Sequence, residues 1–378
     1  MKIVIDEKIP FIRGVFEPWA DVVYTPGRDI DAATVADADA MIVRTRTRCN
    51  SRLLEKSSVR IIASATIGFD HLDTAWLNKA GIKWVNAPGC NSGSVMQYVT
   101  AALLFLASRH SLDLQSLTLG VVGVGHVGSK VVRAARALGM RVLLNDPPRE
   151  RREGAAEFAP LEQLLEESDI LTLHVPLTLE GEERTRHLIN GITLGRLRKN
   201  CILINSSRGE VADNAALRKA LEDKVIRGAV LDVWEGEPEA DRGLLALTDI
   251  ATPHIAGYSV DGKANATVNS VRKVAAFLGI PLPDWTPDSL PQPSEPVIDL
   301  ALHTTVTDPV DLAGEAVRHT YRIGEDDSRF RGNPEKFEYL RDNYGARREF
   351  GSYTVMNADP AAAQILSGLG FRIIKTTQ

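Results

Sequence analysis

The first 88 residues alternate short apolar runs with turn-like or helical stretches. The runs are Ile3-Val4-Ile5, Ala40 to Val43, Arg60 to Ala63 and Lys83 to Val85. That rhythm predicts a parallel sheet in an α/β domain. Asn91 to Arg109 is a longer, mostly apolar stretch and predicts one helix, capped by Asn91 or Ser92, joining two domains. From Leu117 the alternation becomes very regular, with strands expected at Leu119 to Val122, Arg141 to Asn145, Ile170 to His174, Ile202 to Asn205 and Ala229 to Val233. Repeated β-α units with apolar strands predict a doubly wound α/β sheet that binds ligands at the carboxyl ends of its strands.

Pro281, Pro283, Pro287, Pro291, Pro293 and Pro296 then crowd a segment that can hardly be helix or central strand. Residues 1–92 with about 258–280 are expected to form one α/β domain, 93–257 a second, and 281–296 a linker. Residues 297–378 form a small α+β unit. In it, strands are expected at Ile298 to His303, Ser352 to Met356 and Phe371 to Lys375, and helices at Pro309 to Tyr321, Pro334 to Tyr344 and Pro360 to Leu369.

Bulk composition narrows the partners. A chain of 378 residues, 44% hydrophobic and 25% charged, has the make-up of a globular protein with more than one core. Its net charge of -5 disfavours nucleic acid or an anionic membrane as the main partner, so an anionic substrate needs a local cationic pocket. Cys49, Cys90 and Cys201 lack metal or redox spacing and suit a reducing, cytoplasmic setting. The opening MKIVIDEKIP reads as a strand rather than a secretory signal, and the longest apolar stretch, Tyr98 to Ala107, is too short for a membrane span.

Gly123, Gly125 and Gly128 form G-x-G-x-x-G directly after an apolar run and before the helical Ser129 to Leu138. Gly123 allows a tight turn, Gly125 lets backbone approach a pyrophosphate, and Gly128 permits close helix packing, with His126 and Val127 opening the helix. The next strand ends at Asp146, where a carboxylate would accept from a ribose 2′-hydroxyl and repel a 2′-phosphate, which favours NAD over NADP.

Hydride transfer from a secondary alcohol needs a proton acceptor and a cation for the neighbouring carboxylate. Arg208, Glu237 and His254 each follow a successive strand of this domain. A Glu beside a His favours the imidazolium and orients the ring, and an Arg holds a carboxylate through two parallel hydrogen bonds. Taken singly, each residue is equally a cap, a loop acid or a core histidine; together, after consecutive strands, they point to catalysis.

The runs Asn205 to Gly209, Leu231 to Pro238 and Pro253 to Gly257 resemble the signatures of the D-isomer-specific 2-hydroxyacid dehydrogenases. The resemblance covers roughly the first three quarters of the chain. It implies a flavodoxin-like substrate domain and a Rossmann cofactor domain, with Arg208, Glu237 and His254 as the catalytic set. It also implies NAD contacts at Val175, Ser206, Ser207, Arg208, Asp232 and Gly257 beside the glycine turn.

A narrower likeness involves the N-terminal MKIVIDE, Asn86 to Asn91, Leu231 to Glu239, and the C-terminal Lys336 to Tyr344 with Arg347-Arg348-Glu349. It implies a phosphorylated 2-hydroxy acid as substrate and a homodimer formed through the C-terminal domain. Arg44, Arg46 and Arg48 alternate with Thr45 and Thr47 and, if extended, would project to one side as a phosphate site. Resemblance places further substrate contacts at Thr45, Thr66 and Tyr258. His71, His126, His303 and His319 carry no chemistry in this reading. A 3-phosphoglycerate or glycerate dehydrogenase and an NAD-sensing corepressor on the same fold stay open as rivals.

Overall fold

The computed structural model describes residues 1–302 and 305–374. It divides into two compact units, Met1–Asn91 with Ser259–Pro291, and Ser92–Tyr258 with Gln292–Gln378. Among the described residues no helix is long and apolar enough to cross a membrane.

The first unit is a five-stranded sheet of β1 (Lys2–Asp6), β2 (Asp21–Thr25), β3 (Ala40–Val43), β4 (Ile61–Ser64) and β5 (Lys83–Val85), all parallel, in the order β2-β1-β3-β4-β5. This is the flavodoxin-like order. Central strands need apolar residues on both faces, and β1, β3 and β4 supply them. Ile3, Ile5, Ile42 and Ile61 face one core, and Val4, Met41, Val43 and Ile62 face the other. The helix Val260–Leu278 covers the first face through Ala266, Val271, Val274 and Ala275. Strand β2 escapes the hydrophobic pattern because it is an edge strand that opens on Asp21 and is only half-buried.

The second unit carries β6 (Thr118–Val122), β7 (Arg141–Asn145), β8 (Ile170–Leu173), β9 (Ile202–Asn205), β10 (Gly228–Leu231) and β11 (Ile250–Ala251) in the parallel order β11-β10-β9-β8-β6-β7. A one-residue bridge between Leu144 and Phe158 stands outside β7, where a doubly wound sheet has its third strand. The helix Ser92–His110 is buried along most of its length, as its apolar sequence requires.

The C-terminal residues add β12 (Val297–Asp299), β13 (Thr354–Met356) and β14 (Arg372–Ile373), a three-stranded sheet that is wholly parallel. The expected first strand ends early, at Asp299, and a single helical turn, Leu300–Leu302, follows; His303 and Lys375 lie outside the described residues. The expected Pro334 to Tyr344 helix is a turn, Pro334–Lys336, followed by the helix Phe337–Asp342. A helix the pattern did not predict, Ile323–Gly332, hides its periodicity behind charge and buries Ile323, Asp326 and Phe330.

These elements share one core with the cofactor sheet. Leu103, Val131, Ala316 and Leu366 belong to the same apolar cluster. A Cβ on Gly368 would fall 2.7 Å from that of Ala137, so glycine sets how closely the helix Pro360–Leu369 approaches the helix His126–Ala137.

Candidate active site

The glycine turn follows β6. Gly123 has φ +86°, and a Cβ there would lie 2.7 Å from the His174 carbonyl oxygen. A Cβ on Gly128 would lie 2.0 Å from the Gly123 carbonyl, so the helix starts directly against the turn. At Gly125 a Cβ would meet nothing within 4 Å. The helix His126–Ala137 begins at Gly125 with no side chain capping its first amides. Open space above uncapped N–H groups at the positive end of a helix fits a pyrophosphate.

Asp146, after β7, accepts from the Val124 N–H (2.8 Å) and, as the N-cap of the helix Pro147–Glu153, from the Arg149 N–H (3.0 Å). Its carboxylate is therefore anchored to the glycine turn. Val175 also stands against that turn, its Cγ1 2.8 Å from a Cβ built on Gly123.

The loop after β9 is folded on Asn205. Its side-chain oxygen accepts from the Ser207 N–H (3.1 Å) and hydroxyl (2.8 Å), and its amide donates to the Arg208 carbonyl (2.9 Å). Ser206, beside it, keeps its hydroxyl oxygen buried with no partner among the described residues. Arg208 is partly buried and donates from Nη1 to the Ser207 carbonyl (2.8 Å). A Cβ on the following Gly209 would lie 2.1 Å from the Trp234 carbonyl, so only glycine lets the arginine loop and the glutamate loop touch.

Glu237 and His254 meet there. His254 Nδ1 lies 2.7 Å from Glu237 Oε2, and Glu237 Oε1 accepts from the Trp234 N–H at 3.0 Å. Burial pushes the Glu237 carboxyl up, but the His254 and Trp234 hydrogen bonds and the His254 and Arg341 charges outweigh it and hold it below its ordinary value. With Nδ1 occupied, Nε2 is the nitrogen that can exchange a proton with a substrate.

His254 has φ +57°, a left-handed conformation that costs a non-glycine residue energy and persists only where its surroundings over-determine it. Asp232 supplies part of that constraint. Its carbonyl accepts from the His254 N–H (2.7 Å), and its carboxylate accepts from the Ile255 (2.8 Å) and Ala256 (2.9 Å) N–H groups and from the Thr252 hydroxyl (2.7 Å). Burial raises the Asp232 carboxyl; those same donors and the His254 charge oppose the rise. The turn closes through Tyr258 N–H to the Ile255 carbonyl at 2.8 Å, leaving Gly257 half-buried.

Tyr258 receives a hydrogen bond at its hydroxyl from Arg341 Nε (3.0 Å). Sequence reasoning assigned Tyr258 by resemblance and missed Arg341, whose run carries no local motif for a cation reaching the sheet edge.

In the other unit, Arg44 Nε pairs with the fully buried Asp6 (3.0 Å). Residues 44–48 are a turn, closed by Thr47 N–H to the Arg44 carbonyl (3.3 Å), so the condition of an extended segment is not met. The alternation therefore does not align three arginines: Thr45 and Arg48 are exposed, Arg46 is half-buried, and Thr47 is buried with its hydroxyl on the Gly27 carbonyl. Thr66 donates to the Gly68 carbonyl (2.9 Å) and lies 2.7 Å from Ser64 Oγ, which in turn lies 3.1 Å from His71 Nε2. The single Thr66 proton is thus committed inward.

Residues 103–256 match the D-isomer specific 2-hydroxyacid dehydrogenase NAD binding domain, and residues 291–370 match a domain of unknown function. Erythronate-4-phosphate dehydrogenase of Bacteroides thetaiotaomicron is 48% identical over 94% of this chain and 99% of its own. The chain belongs to the erythronate-4-phosphate dehydrogenase family, within the D-2-hydroxyacid dehydrogenases. The family's enzyme from Photorhabdus laumondii is 43% identical, over 98% of this chain and 99% of its own. A solved D-lactate dehydrogenase of Aquifex aeolicus, complexed with NAD and lactic acid, superposes with a TM-score of 0.62 at 27% identity, over 74% of this chain and 96% of its own. The cofactor domain of this chain is an NAD-binding domain.

Proposed function

We propose that this chain catalyses the NAD-dependent oxidation of 4-phospho-D-erythronate to (R)-3-hydroxy-2-oxo-4-phosphooxybutanoate, a step toward pyridoxal 5′-phosphate, in the cytoplasm. The observation that carries the reading is the 2.7 Å pairing of His254 with Glu237 in a domain that also holds the glycine turn. The family's name supplies the substrate.

Gly123, Gly125, His126, Val127, Gly128, Asp146, Val175, Ser206, Ser207, Asp232 and Gly257 would hold NAD, which when bound would accept the hydride from C2. Arg208 binds the substrate carboxylate. His254 Nε2 takes the proton of the C2 hydroxyl as the carbonyl forms, and Glu237 stabilises the resulting imidazolium and fixes the ring. Arg44, Thr45, Thr66 and Tyr258 bind the rest of the polyol phosphate. With the Thr66 proton committed to Gly68, that hydroxyl serves as an acceptor for substrate hydroxyls.

Initial rates with NAD on a panel of 2-hydroxy acids test the reading. Phosphoerythronate is expected to have the highest kcat/KM; a preference for 3-phosphoglycerate or glycerate would overturn it. The chain acts as a homodimer through its C-terminal domain, a reading supported by the exposed Val297, Leu302, Tyr339 and Ile374 there. Light scattering at a monomer mass would count against it.

A further inference from the structure

The segment that carries His254 leaves the sheet at β11, an edge strand with β10 on one side only. Among the described residues, polar side chains of the C-terminal domain meet the stretch from Thr248 to Tyr258. Asp327 Oδ1 accepts from the Ala251 N–H (2.6 Å), Arg331 Nη2 donates to the Thr248 carbonyl (2.7 Å), and Arg341 holds Tyr258. Arg347 donates from Nη2 to the carbonyls of Ile255 (3.3 Å) and Ala256 (2.6 Å), the two residues after His254.

The N–H groups of the same two residues point at the Asp232 carboxylate. The peptide unit joining Ile255 to Ala256 therefore lies between an anion on its N–H side and a cation on its carbonyl side, the arrangement that a peptide dipole favours. Arg347 is only 7% exposed, and its guanidinium lies over the Tyr321 ring, 4.4 Å from the centroid.

Burying an arginine is costly, and an apolar side chain of similar volume would fill this space at lower cost. What Arg347 adds beyond packing is a pair of charge-assisted hydrogen bonds to backbone next to the strained His254. We propose that Arg347 is a positioning residue for the hydride-transfer reaction, through which the domain of unknown function fixes the backbone of the proton-accepting histidine. This rests on the reading of His254 as the base.

The test compares Arg347→Met and Arg347→Lys in the full-length enzyme, beside His254→Ala. Arg347→Met is expected to keep NAD affinity, read by quenching of protein fluorescence, and to keep the phosphoerythronate KM within about threefold. Its kcat is expected to fall about 100-fold, the scale that misplacement by about 1 Å produces, and the acid limb of its pH–rate profile is expected to move. Arg347→Lys, which retains the cation but not the fork, is expected to recover roughly tenfold of that loss.

A loss confined to NAD affinity or KM would overturn the proposal, as would wild-type kcat in either folded variant. Should Arg347→Met fail to fold, the kcat of Arg347→Lys decides alone. Wild-type turnover in His254→Ala removes the base assignment and this inference with it. An inactive His254→Ala beside fully active Arg347 variants removes only the inference.

Discussion

His254 Nδ1 stands 2.7 Å from Oε2 of Glu237, and the other oxygen of that carboxylate is held by the Trp234 N–H. The glutamate is thus oriented by its own loop before it orients the histidine. Removing its charge should act on the stability of an imidazolium formed in the reaction first and on the position of the ring second.

Glu237→Gln is therefore expected to lower kcat roughly tenfold and to move the acid limb of kcat/KM. The Glu237 carboxyl, held below its ordinary value by the His254 hydrogen bond and charge, is the group that this substitution takes out of the profile. A pH–rate profile from pH 5 to 9 reads this directly. A limb that stays in place would argue against the pair acting as a unit.

His254→Ala removes the proton acceptor proposed above and leaves the glycine turn intact. Turnover is expected to drop by about 100- to 10,000-fold, with NAD affinity changed by no more than a few-fold. Stopped-flow hydride transfer and a binding titration separate the two effects, and near-normal turnover would end the assignment.

Arg208→Lys keeps a positive charge but loses the fork that grips a carboxylate with two parallel hydrogen bonds. The expected outcome is a fall in kcat/KM for phosphoerythronate of about 100-fold with NAD affinity preserved. Equal kcat/KM for the two proteins would place the carboxylate elsewhere.

Asp146, proposed above to accept from the ribose, anchors the glycine turn through the Val124 N–H and caps the next helix at the Arg149 N–H. Asp146→Ser should retain a capping oxygen while removing the charge that repels a 2′-phosphate. The ratio of kcat/KM for NAD over NADP is expected to fall at least tenfold, because the carboxylate that repels a 2′-phosphate is gone. An unchanged ratio would show that discrimination lies outside this residue.

His71 is buried behind Ser64 and Thr66. Since the Thr66 proton goes to Gly68, Ser64 donates to Thr66 and the His71 Nε2–H donates to Ser64. Burial pushes His71 down to about 4, against the opposing Asp70 charge. A folded value below the unfolded one means that the stability contribution is complete above about pH 6.5 and is lost as pH falls toward 4. Thermal melts at pH 7, 6, 5 and 4 should show a flatter acid decline in His71→Asn than in the parent. Parallel declines would sink the idea.

Much of the site was legible because its parts are local in the chain. The glycine turn, Asp146, Arg208, Glu237 and His254 all fall just after strands, and strands announce themselves by apolar runs. The Arg44 to Arg48 alternation misled, because period-two spacing puts side chains on one side only in an extended chain. Here Thr47 folds inward onto Gly27 and the segment turns. The helix Ile323–Gly332 was missed for a related reason: its buried face includes Asp326, which hydrophobic patterning counts as surface.

By itself, then, the sequence determined the order and type of the main elements, the nucleotide turn and the choice of Arg208, Glu237 and His254 as candidates. Each of these depends on contacts within a few residues or on strand-scale periodicity. Tertiary structure alone decided that Glu237 faces His254 across 17 residues, that Arg347 reaches back 91 residues to grip the Ala256 carbonyl, and that Arg341 reaches Tyr258. Such pairings are set by where packed helices and strand ends deliver a side chain in space, and no spacing along a chain encodes that delivery.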